Sequence, residues 1–216
     1  MVYFFLTVID VLFATIGYLM TFRALDTDIR STEPTLIGWI VCIICYYPFW
    51  ELVAVSVFFT ELYEGNVWYE WLEGYTTLLT IWGPLVVLAM CVESFTTLTF
   101  GARFSNLTFR GLITTGPFRY TKHPQYISKM FNRLFFLMPF LSMDGTSGAL
   151  KTMVMFFAVC LVYYLRAKTE ENHLSRYPEY VEYAHWIDQH GIFRWVGKLI
   201  PRLKFSAERA QAGKLF

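Results

Sequence analysis

Residues 114–126, TTGPFRYTKHPQY, gather Gly116, two prolines, Arg119, Lys122, His123 and three aromatic rings between long apolar runs. The wider segment 101–133 holds six lysines and arginines and no carboxylate, which suits an anionic group: a phosphate, a carboxylate or lipid headgroups. Attraction to anionic headgroups, worth about 1 kcal/mol per basic residue near a membrane, accounts for the charge. It does not account for the backbone. Gly116-Pro117 and His123-Pro124 impose non-helical geometry on either side of a short segment. Pro124 suits the first turn of a following helix, whose free N–H groups and partial positive charge face whatever lies above them. His123 and Tyr126, three residues apart, can line one site.

A second group, RAKTEENHLSRYPEYVEY at 166–183, sets Arg166 and Lys168 beside Glu170 and Glu171. If the apolar runs between the two groups form a hairpin, Tyr126 at its start meets Arg166 at its end. Cations and a helix N-terminus then face carboxylates, which fits a zwitterionic ligand bearing an ammonium and a carboxylate. Alone, Glu170-Glu171 reads as a solvated helix face; the pairing across the hairpin gives it chemistry. His123, His173, His185 and His190 lack metal-ligand spacing, and no GxSxG, phosphate loop or GxGxxG is present. No metal is expected. The basic segments lack the stacking platforms of a nucleic-acid binder. Cys42-x-x-Cys45 has redox spacing without a βαβ context, and all four cysteines lie in apolar runs as small hydrophobes.

The elements that must position these residues are membrane helices. The 216-residue chain is 56% hydrophobic and 16% charged, with mean hydropathy +0.41. Soluble domains are nearer about 45–50% apolar and about 25% charged, so the bilayer is the expected solvent. Three runs, Val2 to Phe22, Leu36 to Thr60 and Tyr75 to Phe100, are long enough to cross about 30 Å of hydrocarbon. The first has no basic region ahead of it and no cleavage site, so it reads as a retained segment. Asp10, Glu51 and Glu93 each interrupt one run. An ionisable group in a span is a functional candidate, but each reads more simply as a hydrogen-bonded packing residue. Two shorter runs, Leu134 to Leu141 and Met153 to Leu165, flank the turn SMDGTSG. They predict a hairpin that dips into one leaflet or crosses obliquely, with Lys129 and Arg133 snorkelling to the interface.

Beyond Arg166 the chain reads as cytosol-facing helices lying partly on the membrane, broken at Pro178 and Pro201. Lysine and arginine number two in the loop 23–34, none in 61–74, six in 101–133 and nine from 166 onward. The loop 61–74 instead carries Glu61, Glu64, Glu70 and Glu73. Basic residues favour the cytoplasm, so the N-terminus is expected outside, the motif loop and C-terminus inside. The expected fold is an all-α polytopic membrane bundle of about five membrane helices, the last two a short hairpin, with a cytosolic C-terminal helical segment. Residues 1–100 supply three transmembrane helices, and residues 101–216 the cofactor-binding, catalytic region.

GLITTGPFRYTKHPQY, a short hydrophobic hairpin and KTEENHLSRYPEYVEY together resemble the integral-membrane methyltransferases of the isoprenylcysteine carboxyl and phospholipid type. That family's pattern is Gly-x-Tyr-x-x-x-Arg-His-Pro-x-Tyr, then Glu-Glu, then Tyr-x-x-Tyr. Gly116, His123, Pro124, Tyr126, Glu170, Glu171, Tyr180 and Tyr183 match it, across roughly residues 100–190. Lys122 stands in place of the arginine, Phe118 in place of the first tyrosine, and Tyr177-Pro178 where Phe-Gly is usual. Lysine keeps the charge and loses the bidentate fork.

The resemblance implies S-adenosyl-L-methionine at the cytosolic interface and methyl transfer to a lipophilic acceptor: a prenylcysteine-type carboxylate, a lipid amine or a thiol. Implied cofactor-binding residues are Gly116, Tyr120, Lys122, His123, Pro124, Tyr126, Arg166, Lys168, Glu170 and Glu171. Lys122 and Arg166 or Lys168 are expected on the carboxylate, with Glu170 and Glu171 on the ammonium or ribose. Lys122, His123 and Glu171 are the catalytic candidates, while Arg103, Asn106 and Arg110 stand near a lateral mouth. Membrane sterol and enone reductases using NADPH carry a similar Arg-His-Pro-x-Tyr loop, usually with asparagine where Gln125 stands. A reductase or a non-catalytic lipid-binding membrane protein is therefore the alternative reading.

Overall fold

The computed structural model describes residues 2–54 and 66–212 and is mostly helical. Thr60, Glu61, Glu64 and the side chain of Glu51 lie outside the described residues. Helix α1 (Val2–Leu19) follows the first apolar run. The second run does not form one continuous helix: α2 (Leu36–Ile43) and α3 (Phe49–Ala54) are separate. Pro48, which biases Tyr47 away from helical geometry, stands at the break. After the short α4 (Trp68–Trp71), α5 (Thr76–Phe100) reproduces the third run.

Helix α6 (Pro124–Leu137) starts with Pro124 at its first turn and ends at Met138, which takes the left-handed conformation ahead of Pro139. Helix α7 (Gly145–Leu174) corrects the expected short hairpin, because it runs 30 residues, about 45 Å at 1.5 Å each, well past Arg166. Uncharged polar residues at its start and charged ones at its end extend the helix beyond its apolar middle. Among the described residues three helices are long and apolar enough to cross a membrane: Val2–Leu19, Thr76–Arg103 and Gly145–Leu174. Helices α8 (Pro178–His190), α9 (Arg194–Leu199) and α10 (Ala207–Gln211) complete the chain.

Helix α5 packs against α1 and α6, and α2 against α7. Asp10 accepts from the Thr97 hydroxyl, which in turn accepts from Gln125 Nε2 at 3.1 Å. Glu93 accepts from Asn132 Nδ2 at 3.3 Å and lies 3.6 Å from Lys129 Nζ. These two acids are hydrogen-bonded packing residues between α1, α5 and α6. Lys129 and Arg133 point inward instead of snorkelling, Arg133 lying 5.2 Å from the Tyr163 ring centroid.

Two devices hold the motif loop. Gly116 has φ +56°, and a Cβ there would meet the Thr99 hydroxyl at 2.7 Å, so a side chain is excluded on both counts. Tyr183, buried on α8, donates its hydroxyl to the Phe118 carbonyl at 2.6 Å. Tyr183→Phe removes that donor and leaves a buried carbonyl short of a partner. A loss of about 1–3 kcal/mol is expected, read as a lower melting temperature in detergent.

Candidate active site

The hairpin brings the two chemical groups together as the sequence predicts. Arg166, buried on α7, lies 5.1 Å from the Tyr126 ring centroid and 5.3 Å from that of Tyr46. Its Nη2 donates to the Tyr46 hydroxyl at 3.1 Å and to Asn106 Oδ1. Tyr126 donates to Glu170 Oε2 at 2.9 Å, and its ring stacks on His123 at 5.6 Å. Both nitrogens of His123 face carboxylates, Nε2 at 3.3 Å from Glu171 and Nδ1 at 3.7 Å from Glu170.

Lys122, His123, Tyr126, Arg166 and Glu170 line one cavity of about 100 Å³, termed the polar cavity for these groups, although Phe100, Leu107, Phe109 and Leu112 share its wall. Helix periodicity explains the α7 contribution, since Arg166, Thr169, Glu170 and His173 lie on one face. The segment Ser105–Ile113 and Tyr180 and Tyr183 of α8 also line it. So do Glu33, Gly38 and Cys42, across the expected boundary at residue 100. Two buried atoms on its lining residues have no hydrogen-bond partner: the Tyr180 hydroxyl and Arg110 Nε. Burial, reinforced by the charges of Glu171 and Glu170, raises the Tyr180 pKa well above the ordinary tyrosine value, so the hydroxyl remains a donor.

Other expected residues stand elsewhere. Glu171 does not line the cavity; it lies beside it, 4% exposed, within 3.0 Å of Lys122 Nζ and 2.7 Å of Lys168 Nζ. Lys122 also reaches Asp188 at 3.0 Å. Gly116, Tyr120 and Pro124 face an apolar groove of about 650 Å³ between α5 and α6, with Leu88, Val92, Ile127 and Phe131. The motif is thus a partition. Phe118, Lys122, His123 and Tyr126 face the polar cavity, while Gly116, Pro117, Thr121, Pro124 and Ile127 face the groove.

Sequence reasoning missed Glu33, His173 and Tyr180 as lining residues. His173 follows Arg166 and Glu170 at helical spacing, which is a usable signal. Tyr180 is signalled only as part of the Tyr-x-x-Tyr pattern. Glu33 carries none, because a two-residue ladder between Ser31–Thr32 and Thr108–Phe109 delivers it. Among the described residues no group of histidine, cysteine or acidic side chains is placed to hold a metal.

Burial alone lowers the Lys122 pKa, but the carboxylates of Glu171 and Asp188 outweigh it and raise the value above that of ordinary lysine. For Tyr180 and Tyr183 burial itself raises the value, because it disfavours the phenolate. Groups with raised folded values stabilise fully below their unfolded values, about 10 for tyrosine and lysine, and lose that stabilisation as pH rises through the folded ones. The melting temperature in detergent is therefore expected to fall steeply above about pH 10.

Compared with protein families, residues 74–179 match the model described as phospholipid methyltransferase. The match takes in the motif loop, the hairpin and Arg166 to Glu171, and ends before Tyr180. Compared with curated proteins and with solved structures, the chain gives no match.

Proposed function

From a chain whose residues 74–179 carry the phospholipid methyltransferase domain, we propose an integral-membrane methyltransferase that uses S-adenosyl-L-methionine on a lipophilic acceptor at the cytosolic interface. The observation that carries this reading is the partition. One side of a single motif faces charges of both signs, and the other faces an apolar groove. The donor set fits the cofactor's amino-acid part. Arg166 suits a carboxylate, Glu170 suits an ammonium or ribose hydroxyls, and the free Tyr180 hydroxyl and Arg110 Nε still need acceptors.

When bound, the cofactor supplies a methyl group on a cationic sulfur. The chain's own task is positional. Lys122, held between Glu171 and Asp188, fixes the motif against α7 and α8. Tyr126 stacks beneath the Arg166 guanidinium and hydrogen-bonds Glu170, which sets both charged groups at the cavity wall. Holding reactants in line and excluding water can contribute about 7–11 kcal/mol to such a step. Residues 101–216 act as the main catalytic region, with α7 also long and apolar enough to cross the membrane, while residues 1–100 supply the other two such helices and part of the cavity wall.

The groove is walled by α5, which is long and apolar enough to cross a membrane, and by α6, so an acceptor with an apolar chain has a lateral route along it. Incubating membranes that contain the protein with methyl-labelled S-adenosylmethionine tests this. Label in a lipid or lipidated fraction, absent for Arg166→Met, is expected. Label confined to water-soluble products would overturn the lipophilic acceptor.

A further inference from the structure

The carboxylates facing the polar cavity are Glu170 and Glu33, whereas Glu171 is spent on Lys122, His123 and Lys168. Glu33 is 5% exposed. Its Oε1 accepts from the backbone N–H of Thr35 at 2.9 Å and from the Thr35 hydroxyl. Its Oε2 lies 3.9 Å from His173 Nδ1, beyond hydrogen-bonding reach. The other His173 nitrogen is paired with Ser31 Oγ at 2.8 Å. Burying a carboxylate is costly unless hydrogen bonds and a cation meet it, and here the hydrogen bonds all fall on Oε1.

Its placement is built rather than incidental. The Glu33 N–H donates to the Leu107 carbonyl at 2.8 Å, and Trp39 Nε1 donates to the Glu33 carbonyl at 2.8 Å. A Cβ on Gly38 would lie 2.5 Å from Glu33 Cγ, so the first turn of α2 admits this side chain only with glycine there. A second, independent feature marks the same cavity as a ligand site: Tyr180, 3% exposed, keeps a hydroxyl without a partner.

We propose that Glu33 is a ligand-binding carboxylate that takes the ammonium of a zwitterionic ligand whose carboxylate is held at Arg166. This rests on the methyltransferase reading, in which that ligand is the amino-acid part of S-adenosylmethionine. It places a donor-recognition residue outside residues 74–179, on the segment ahead of the matched domain.

Calorimetry on the detergent-purified full chain tests it with two probes. S-adenosylhomocysteine carries the ammonium and carboxylate; 5′-methylthioadenosine keeps the nucleoside and sulfur and lacks both. Glu33→Gln, which keeps shape and removes charge, is expected to raise Kd at least tenfold for the first and to leave the second within twofold. Glu33→Asp, which keeps charge on a shorter stem, is expected to give an intermediate loss for the first probe alone, and serves if the glutamine variant does not fold. Equal weakening for both probes, or unchanged affinity for S-adenosylhomocysteine, overturns the assignment while leaving the methyltransferase reading intact. Wild-type protein that binds neither probe overturns both.

Discussion

Glu171→Ala is expected to cost about 3–5 kcal/mol of stability and to abolish cofactor binding. The carboxylate meets Lys122 at 3.0 Å, Lys168 at 2.7 Å and His123 at 3.3 Å, and its side chain is 5% exposed. Removing it leaves Lys122 with Asp188 alone and Lys168 without its short ion pair, both side chains about nine-tenths buried. Breaking a buried pair from one side is strongly destabilising, because the remaining charge has no compensation. The motif loop keeps Tyr126 on Glu170 and Arg166 but loses the Glu171 tie to α7 that fixes Lys122 and His123 at the cavity wall. Thermal melts of wild type, Glu171→Ala, Lys122→Met and the double variant form a cycle. The double variant should lose less than the sum of the singles; strict additivity would show that the pair is not coupled.

Arg166→Lys is the second large effect, and it acts on binding more than on folding. The guanidinium lies between the rings of Tyr126 and Tyr46 and donates to Tyr46 and Asn106. Lysine keeps one positive charge but loses the planar stacking and the fork that can hold a carboxylate in two places. Affinity for S-adenosylhomocysteine is expected to drop about 10–100-fold, on the order of 1.4–2.8 kcal/mol. Wild-type affinity in Arg166→Lys would show that no carboxylate is held there.

The features legible in the sequence are those that local chemistry dictates. Apolar length gave α1 and α5, and Pro124 marked the start of α6. The hairpin predicted the meeting of Tyr126 with Arg166, since two antiparallel arms must return to one end. Pro48 was visible too, but the surrounding apolar residues hid the break between α2 and α3 because hydropathy does not register backbone geometry. The division of labour between adjacent glutamates was not legible. Glu170 and Glu171 differ by about 100° around a helix, and only the packing of α6 and α8 decides which faces the cavity. Glu33 was silent for a similar reason: a long-range backbone ladder to Thr108–Phe109 sets its position.

Calorimetric titration of the purified wild-type chain with S-adenosylhomocysteine and, separately, with NADPH tests the account most directly. Binding of S-adenosylhomocysteine at about micromolar Kd, near −8 kcal/mol, with no response to NADPH is the predicted result. Binding of NADPH alone would contradict the account and return the partitioned motif to a membrane reductase.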